Sequence, residues 1–187
     1  LGCPVNKAQR QRVGAILMED PKLVKKVLSK LVSSTNKPVF AKIRSGFKSS
    51  NINYKTIAKI AQDVGCSAVT IHPRTADKKR SGAIFWEHIR DLKDKLNIPV
   101  IANGDIFTPE DASYVSKYSN CDYVMLARAA ARDPTIFKQC IDFDKKGKYK
   151  ITDKISLSNE YLSLIEKYPV KFKVAKEHIN YFIKYSE

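Results

Sequence analysis

A repeated alternation of short apolar runs and amphipathic segments constrains the fold of this chain more than any other feature. Four runs have the length and composition of β-strands, and they cover residues 38–44, 67–72, 98–103 and 122–128. Strands that are apolar on both faces and alternate with helices are typical of a parallel sheet covered by helices. The sequence therefore predicts an α/β domain with a parallel sheet.

Residues that start and stop helices flank the segments between these runs. Asp20 followed by Pro21 begins one helix, because aspartate caps free N–H groups and proline fits the first turn. Thr108 begins another helix, and Gly65 ends a third. After the helix that begins at Asp20, the predicted helices of the alternation span residues 53–64, 85–96 and 108–118.

The alternation stops after residue 134. A charged connector at residues 142–150 then precedes two helical segments, which extend to Ser186 and are separated at Pro169. We predict an α/β domain over residues 1–141 and a connector with helices over residues 142–187.

Composition excludes two classes of protein. With 187 residues, 43% of them hydrophobic and 28% charged, the chain can bury a core and is not a disordered tail. No apolar run approaches the roughly 20 residues of a membrane-spanning helix, so we expect no membrane association. The four cysteines lack the paired spacing of a zinc site or a disulfide framework. We therefore expect reduced thiols, a cytoplasmic location and no metal.

The charge of the chain is strongly positive. Lys and Arg number 34 against 19 Asp and Glu, a net charge of +15. The excess is dense between Lys7 and Lys48, where only Glu19 and Asp20 oppose it. Such a segment is expected to attract a polyanion with salt-dependent affinity. The alternative is that these cations are solvated helix faces.

Polar side chains stand at the end of each predicted strand. They are Lys42 with Arg44, His72 with Arg74, Asn103 with Asp105, and Arg128. Because the carboxyl ends of parallel strands meet at one edge of a sheet, this pattern predicts one shared pocket. The alternative for each residue alone is a strand-end side chain that reaches water.

The last two strands add a sign of anion binding. Gly104 directly follows a strand, where backbone N–H groups can approach an anion closely, and Arg128 has the small Ala127 beside it. In eight-stranded βα barrels, phosphate sites lie after the seventh and eighth strands. The alternative is an ordinary turn and a surface arginine.

Cys3 is a candidate for chemistry. It lies in a turn between Gly2 and Pro4, with Lys7 and Arg10 nearby in sequence. A thiol in such a position can act as a nucleophile or as a general acid. A structural role is the alternative.

Taken in order, these motifs resemble the tRNA-dihydrouridine synthase family. The matching segments are Gly2-Cys3-Pro4 with Lys7, Lys42-Ile43-Arg44, His72-Pro73-Arg74, Ile101-Ala102-Asn103-Gly104-Asp105 and Ala127-Arg128-Ala129. The similarity runs from Leu1 to about Phe137. Residues 172–186 resemble the beginning of the family's helical tRNA-binding domain.

The resemblance implies the C-terminal half of a (β/α)8 TIM barrel, followed by the start of an all-helical domain. A closed barrel takes roughly 250 residues. We therefore expect this chain to be part of a longer protein, with the first cofactor-binding strand upstream of Leu1, and we expect the isolated piece to bind cofactor poorly.

The resemblance also implies an activity, which is reduction of the C5=C6 bond of uridine in tRNA by a monomeric enzyme using FMN and NADPH. Cys3 would be the general acid that protonates C5, and Lys42 and His72 would lie against the flavin ring. The residues implied for the FMN phosphate are Asn103, Gly104, Asp105, Ala127 and Arg128, and those implied for the RNA are Lys7, Arg44 and Arg74.

Two alternatives remain open at this point. One is an FMN-dependent barrel oxidoreductase that acts on a small molecule such as dihydroorotate or a dihydropyrimidine. The other is an RNA-binding or structural piece without activity.

Overall fold

Four strands form one parallel sheet in the computed structural model, which describes residues 1–184. In chain order and in sheet order they are β1 (Phe40–Arg44), β2 (Ala68–His72), β3 (Val100–Asn103) and β4 (Tyr123–Met125). The four predicted strands and the parallel α/β arrangement are confirmed. β4 is shorter than predicted, because the chain leaves the sheet after Met125 and turns into a helix at Arg128.

Helices occupy most of the remaining described chain. They are α1 (Asn6–Arg10), α2 (Pro21–Ser33), α3 (Tyr54–Asp63), α4 (Glu87–Lys93), α5 (Pro109–Ser119), α6 (Arg128–Arg132), α7 (Ile136–Lys146), α8 (Lys154–Lys167) and α9 (Phe172–Lys184), with a 3-10 helix at Gly14–Glu19. No helix within residues 1–184 is long and apolar enough to cross a membrane.

The predicted helix boundaries hold where a side chain caps the backbone. The Asp20 carboxylate accepts a hydrogen bond from the N–H of Leu23 at 3.0 Å. At α5, the Thr108 hydroxyl accepts from the N–H of Asp111 at 3.0 Å, while the Asp111 carboxylate accepts from the N–H of Thr108 at 3.0 Å, a reciprocal capping box.

Three details differ from the sequence prediction. α4 is shorter than the predicted 85–96 segment. α7 continues to Lys146, so the first part of the predicted connector is helical. The break at Pro169 is confirmed by the gap between α8 and α9, and Ser186 lies outside the described residues.

The chain divides into two compact units. The first consists of residues 1–105 and 114–125, and it contains the sheet. The second consists of residues 106–113 and the chain from residue 126 onward. Within the second unit, α9 contacts both α6 and α8, and the ring of Tyr161 lies edge-on to that of Phe182 with their centroids 5.4 Å apart.

One face of the sheet forms the core of the first unit. Its side chains are buried beneath α3 and α4, and they include Ala41, Ile43, Val69, Ile71, Val100 and Ala102. The opposite face, which we call the open face, carries Lys42, Thr70 and Asn103. Successive side chains of a strand point to opposite faces, so the residues between the buried ones lie on the open face.

The turn after β3 is shaped by a close approach of the backbone to a ring. Gly104 has φ +122°, and a Cβ at this position would lie 2.5 Å from Cδ2 and 2.8 Å from Nε2 of His72. Asp105 follows with φ +42°. The imidazole of His72 therefore needs glycine as its neighbour, both for its volume and for the backbone angle.

We expect Gly104→Ala to destabilise the protein by about 2 to 5 kcal/mol, from backbone strain and overpacking against His72. Gly147→Ala is the matched control, since Gly147 has φ +67° but nothing within 4 Å of an added Cβ; its expected cost is about 1 kcal/mol. Urea-induced unfolding measures both, and equal losses would contradict the packing argument.

Candidate active site at the carboxyl edge of the sheet

The predicted strand-end residues of the first unit meet at one edge of the sheet. Arg44 is the register partner of His72 in the β1 and β2 pair, and Asn103 is the register partner of Met125 in the β3 and β4 pair. Lys42 lies two residues before Arg44 on β1, and its side chain is therefore on the same face of the sheet. The structure thus brings together side chains that are far apart in sequence.

Lys42 and Asn103 are joined across the open face. The Lys42 ammonium donates to the Asn103 Oδ1 at 2.7 Å, and the Asn103 Nδ2 donates to the carbonyl of Met125 at 2.9 Å. Although Lys42 remains partly exposed, protein atoms around its ammonium remove hydration. This desolvation, together with repulsion from Arg44, lowers the pKa of Lys42 to about 8.

His72 is a neutral ring with an unsatisfied nitrogen. Burial lowers its pKa to about 3, and the positive charges of Arg44, Lys42 and Arg74 act in the same direction. Its Nε2 is buried without a hydrogen-bond partner. A buried polar atom without a partner costs free energy, so this nitrogen suits a ligand that offers it a complementary group.

Arg44 is buried, with 5% of its surface exposed, and its Nε and Nη1 donors are engaged by backbone carbonyls. Nε donates to the carbonyl of Gly2 at 3.0 Å, and Nη1 donates to the carbonyls of Thr75 at 3.1 Å and Lys79 at 2.9 Å. Desolvation, followed by repulsion from Arg74, lowers its pKa. The guanidinium therefore joins the segment before Cys3 to the loop after β2.

Arg74 makes a second set of bonds of the same kind. Its Nη1 donates to the carbonyl of Arg80 at 3.1 Å, and its Nη2 donates to the carbonyl of Gly82 at 2.7 Å and to the carboxylate of Asp105 at 2.8 Å. Arg74 is 3% exposed. It ties the loop after β2 to the loop after β3. The prediction that Arg44 and Arg74 bind RNA is not tested by these contacts.

Cys3 has an exposed thiol on a well-anchored backbone. Its carbonyl accepts from the N–H of Ala15 at 3.0 Å. Gly14, at φ +76°, packs so closely that a Cβ there would lie 2.7 Å from the Cys3 carbonyl oxygen. Lys7 lies on α1 with an exposed side chain. Within residues 1–184, no three His, Cys, Asp or Glu side chains form a group suited to a metal ion.

Ala127 and Arg128 belong to the second unit, where Ala127 is the N-cap residue of α6 and Arg128 is the first residue of the helix. The Arg128 guanidinium lies 4.6 Å from the centroid of the Phe107 ring, and Arg132 lies 5.0 Å from the same centroid. Cation–π contact of this kind orients a guanidinium. The predicted phosphate-binding role of Ala127 and Arg128 is not tested by these contacts.

Sequence reasoning missed the loop that the two arginines hold. Within it, the Thr75 hydroxyl donates to the Asp77 carboxylate at 2.5 Å, and that carboxylate accepts from the Ser49 hydroxyl at 2.9 Å. A Thr-x-Asp spacing is a local turn signal that could have predicted this folded loop. No sequence pattern indicates which backbone carbonyls meet the guanidinium groups.

Comparison with known proteins agrees with the resemblance. tRNA-dihydrouridine synthase B of Pasteurella multocida is 42% identical over 138 residues, which are 74% of this chain and 42% of that protein. The protein of the same name from Xanthomonas axonopodis is 35% identical over 191 residues, covering 98% of this chain and 58% of its own length. The chain spans about half the length of the curated relatives it matches.

Solved structures are more distant. A chain of the Amycolatopsis orientalis BexX/CysO complex aligns with 72% of this chain and 55% of its own length, at 13% identity and a TM-score of 0.45. In contrast, the dihydrouridine synthase family model matches residues 1–187, the whole chain, and the chain therefore belongs to the dihydrouridine synthase family.

Proposed function

We propose that the protein is a flavin-dependent tRNA-dihydrouridine synthase, which reduces the C5=C6 bond of uridine in tRNA with FMN as cofactor and NADPH as reductant. The observation that carries the proposal is the meeting of Lys42, His72 and Asn103 at one edge of the sheet, in a member of this family. The relatives' name favours tRNA over a small dihydropyrimidine as substrate.

The residues of the first unit fit a flavin. A flavin ring is flat and carries carbonyl oxygens and ring nitrogens, so it offers groups to the Lys42 ammonium and to the unpartnered Nε2 of His72. Reduced flavin carries negative charge, which Lys42 would stabilise. When bound, FMN supplies the hydride for reduction of the uracil ring.

For the FMN phosphate, we propose Asn103, Gly104 and Asp105 of the first unit, and Ala127 and Arg128 of the second. The Asp105 carboxylate is held by Arg74 and would repel a phosphate. The contribution of residues 104 and 105 would therefore come from their backbone N–H groups, which the positive φ angles at both residues bring to one turn. The Arg128 guanidinium would supply a positive charge to the phosphate.

Cys3 is proposed as the general acid. A thiol can give a proton to carbon in the transition state. The exposed position of Cys3 on an anchored loop suits such a role, because the donor must reach a substrate that arrives from solution. In this step the Cys3 sulfur loses its proton to C5 of uracil while a new C5–H bond forms.

The net charge of +15 supports tRNA as the partner, since phosphate contacts by Lys and Arg dominate the affinity of proteins for RNA. Lys7, Arg44 and Arg74 remain our proposed RNA-contacting residues. For a uridine to reach the carboxyl edge of the sheet, it must leave its stack in the tRNA.

We also propose that the sheet is part of a TIM barrel. β1 and β4 are edge strands of this sheet, and their open-face residues Phe40 and Tyr123 are 58% and 65% exposed. Exposed apolar side chains beside an unpaired strand edge are unfavourable, and further strands of a barrel would cover them and pair the edges. Division at residues 1–141 and 142–187, with a helical tRNA-binding domain in the second part, remains a proposal, as do a monomeric state and a cytoplasmic location.

We expect Cys3→Ala to lower dihydrouridine formation by roughly 10²- to 10⁴-fold, the range typical of a lost general acid. FMN affinity should remain unchanged. The measurement is the dihydrouridine content of unmodified tRNA after incubation with the full-length protein. Cys121→Ala, which removes another free thiol, serves as the control. Undiminished product from the Cys3 variant would overturn the proposed role.

The pKa of Lys42 predicts how FMN affinity depends on pH. Because that pKa is lowered to about 8, the ammonium is fully present below this pH and is lost as the pH rises through it. The FMN phosphate already carries its second charge at neutral pH. We therefore expect FMN to bind roughly tenfold more weakly at high pH, the effect of one charge-assisted hydrogen bond.

Fluorescence titration of FMN on both sides of this pH checks the prediction. The control is Lys42→Arg, which keeps its charge across the range and should give a much flatter profile. A pH dependence of equal size in this variant would mean that another group is responsible.

A further inference from the structure

Arg44 holds the peptide group from which the Cys3 side chain departs. The Gly2 carbonyl, which accepts from Arg44 Nε at 3.0 Å, belongs to the same planar peptide group as the Cys3 N–H. Fixing that carbonyl therefore fixes the plane on the amino side of Cys3. The N–H of Ala15 holds the carbonyl on the other side at 3.0 Å.

The other donors of Arg44 show what the Cys3 loop is fixed against. Nη1 donates to two carbonyls of the loop after β2, those of Thr75 and Lys79. The backbone of this loop is itself paired with the segment after β1, since the N–H of Ala76 donates to the carbonyl of Gly46 at 3.0 Å. Arg44 therefore anchors the Cys3 loop to a folded part of the first unit.

This geometry requires a guanidinium. Three carbonyls from two segments lie around one planar group, whose N–H donors point outward in fixed directions. A lysine ammonium keeps the charge, but it is a single point that cannot reach both segments with comparable geometry.

From these contacts, and resting on the proposed function of Cys3, we propose that Arg44 is a positioning residue: it orients the general acid by binding the Gly2 carbonyl. Nε and Nη1 perform this task. Nη2 makes no hydrogen bond with the described residues. Positioning and substrate contact then predict different kinetic effects, which an experiment can separate.

The first experiment follows oxidation of the reduced flavin by unmodified tRNA in the full-length protein, after chemical reduction with dithionite. We expect Arg44→Lys to lower the limiting rate roughly 10- to 100-fold, the effect of a misplaced reacting group. The tRNA concentration at half-maximal rate should change less than about twofold. An effect confined to that concentration would overturn positioning and favour RNA contact by Arg44.

A double-variant cycle then links Arg44 to Cys3. If Arg44 acts through Cys3, Arg44→Lys should cost little further rate once Cys3→Ala is present. A full, multiplicative loss in the double variant would overturn the proposal. Tyr54→Phe is the matched structural control, because it removes a different, part-buried contact of the first unit, the hydrogen bond to Asp91 at 2.8 Å. The Tyr54 variant should retain the limiting rate.

Amide hydrogen exchange provides a readout independent of activity. Arg44→Lys should accelerate exchange in peptides that contain Cys3 at least about fivefold and leave peptides from α3 unchanged. Unchanged exchange at Cys3 would overturn the positioning role even if activity is lost. If Cys3→Ala proves fully active while exchange responds to Arg44, the acid assignment fails and the anchoring stands.

Arg44→Gln, a smaller neutral variant, replaces Arg44→Lys if the lysine variant does not fold. The expected losses in limiting rate, in the double-variant cycle and in exchange protection at Cys3 are the same.

Discussion

Two buried guanidinium groups determine the conformation of the loops at the carboxyl edge of the sheet. Removing a cation from water is unfavourable unless polar groups replace its hydration. Arg44 and Arg74 meet this requirement mainly with backbone carbonyls, and Arg74 adds the carboxylate of Asp105. Each carbonyl that accepts a hydrogen bond from these guanidinium groups is restrained in position. The loops at this edge are thereby held in place by one cation at the end of β1 and another in the loop after β2.

The same cations determine the electrostatic character of the open face. Desolvation, with repulsion from Arg44, lowers the pKa of Lys42. Desolvation, with the charges of Arg44, Lys42 and Arg74, also lowers the pKa of His72. The edge is thus positively charged, with a neutral imidazole within it. An arrangement of this kind stabilises an anion and gives a hydrogen-bonding nitrogen to a neutral group, which are the two requirements of a flavin that gains electrons.

Much of this organisation could be predicted from the sequence. Parallel strands could be predicted from the apolar runs. The helix caps at Asp20 and Thr108 could be predicted because they depend on local hydrogen bonds. The meeting of Lys42 with Asn103 follows from topology, because parallel strands place their carboxyl ends together.

Other features depend on tertiary contacts that no local pattern encodes. The sequence indicated Gly104 as a place for phosphate to approach, whereas its most direct constraint in the structure is the ring of His72. The carbonyl partners of Arg44 could not be predicted either, because every residue has a backbone carbonyl and the sequence does not indicate which ones bind. The short α1 and the 3-10 helix that follows it lack strong capping signals and were not predicted.

The Lys-x-Arg sequence at the end of β1 shows how strand geometry can assign two similar charges to different tasks. Both side chains leave the same face, because they are two residues apart. Lys42 lies inside the sheet, where neighbouring strands offer it the side chain of Asn103 and leave its ammonium near the open face. Arg44 lies at the last position of the strand, where the loops begin, and the acceptors that it binds are backbone carbonyls. A displacement of two residues along the strand therefore separates a cation that bonds to a side chain of the sheet from a cation that bonds to loop carbonyls.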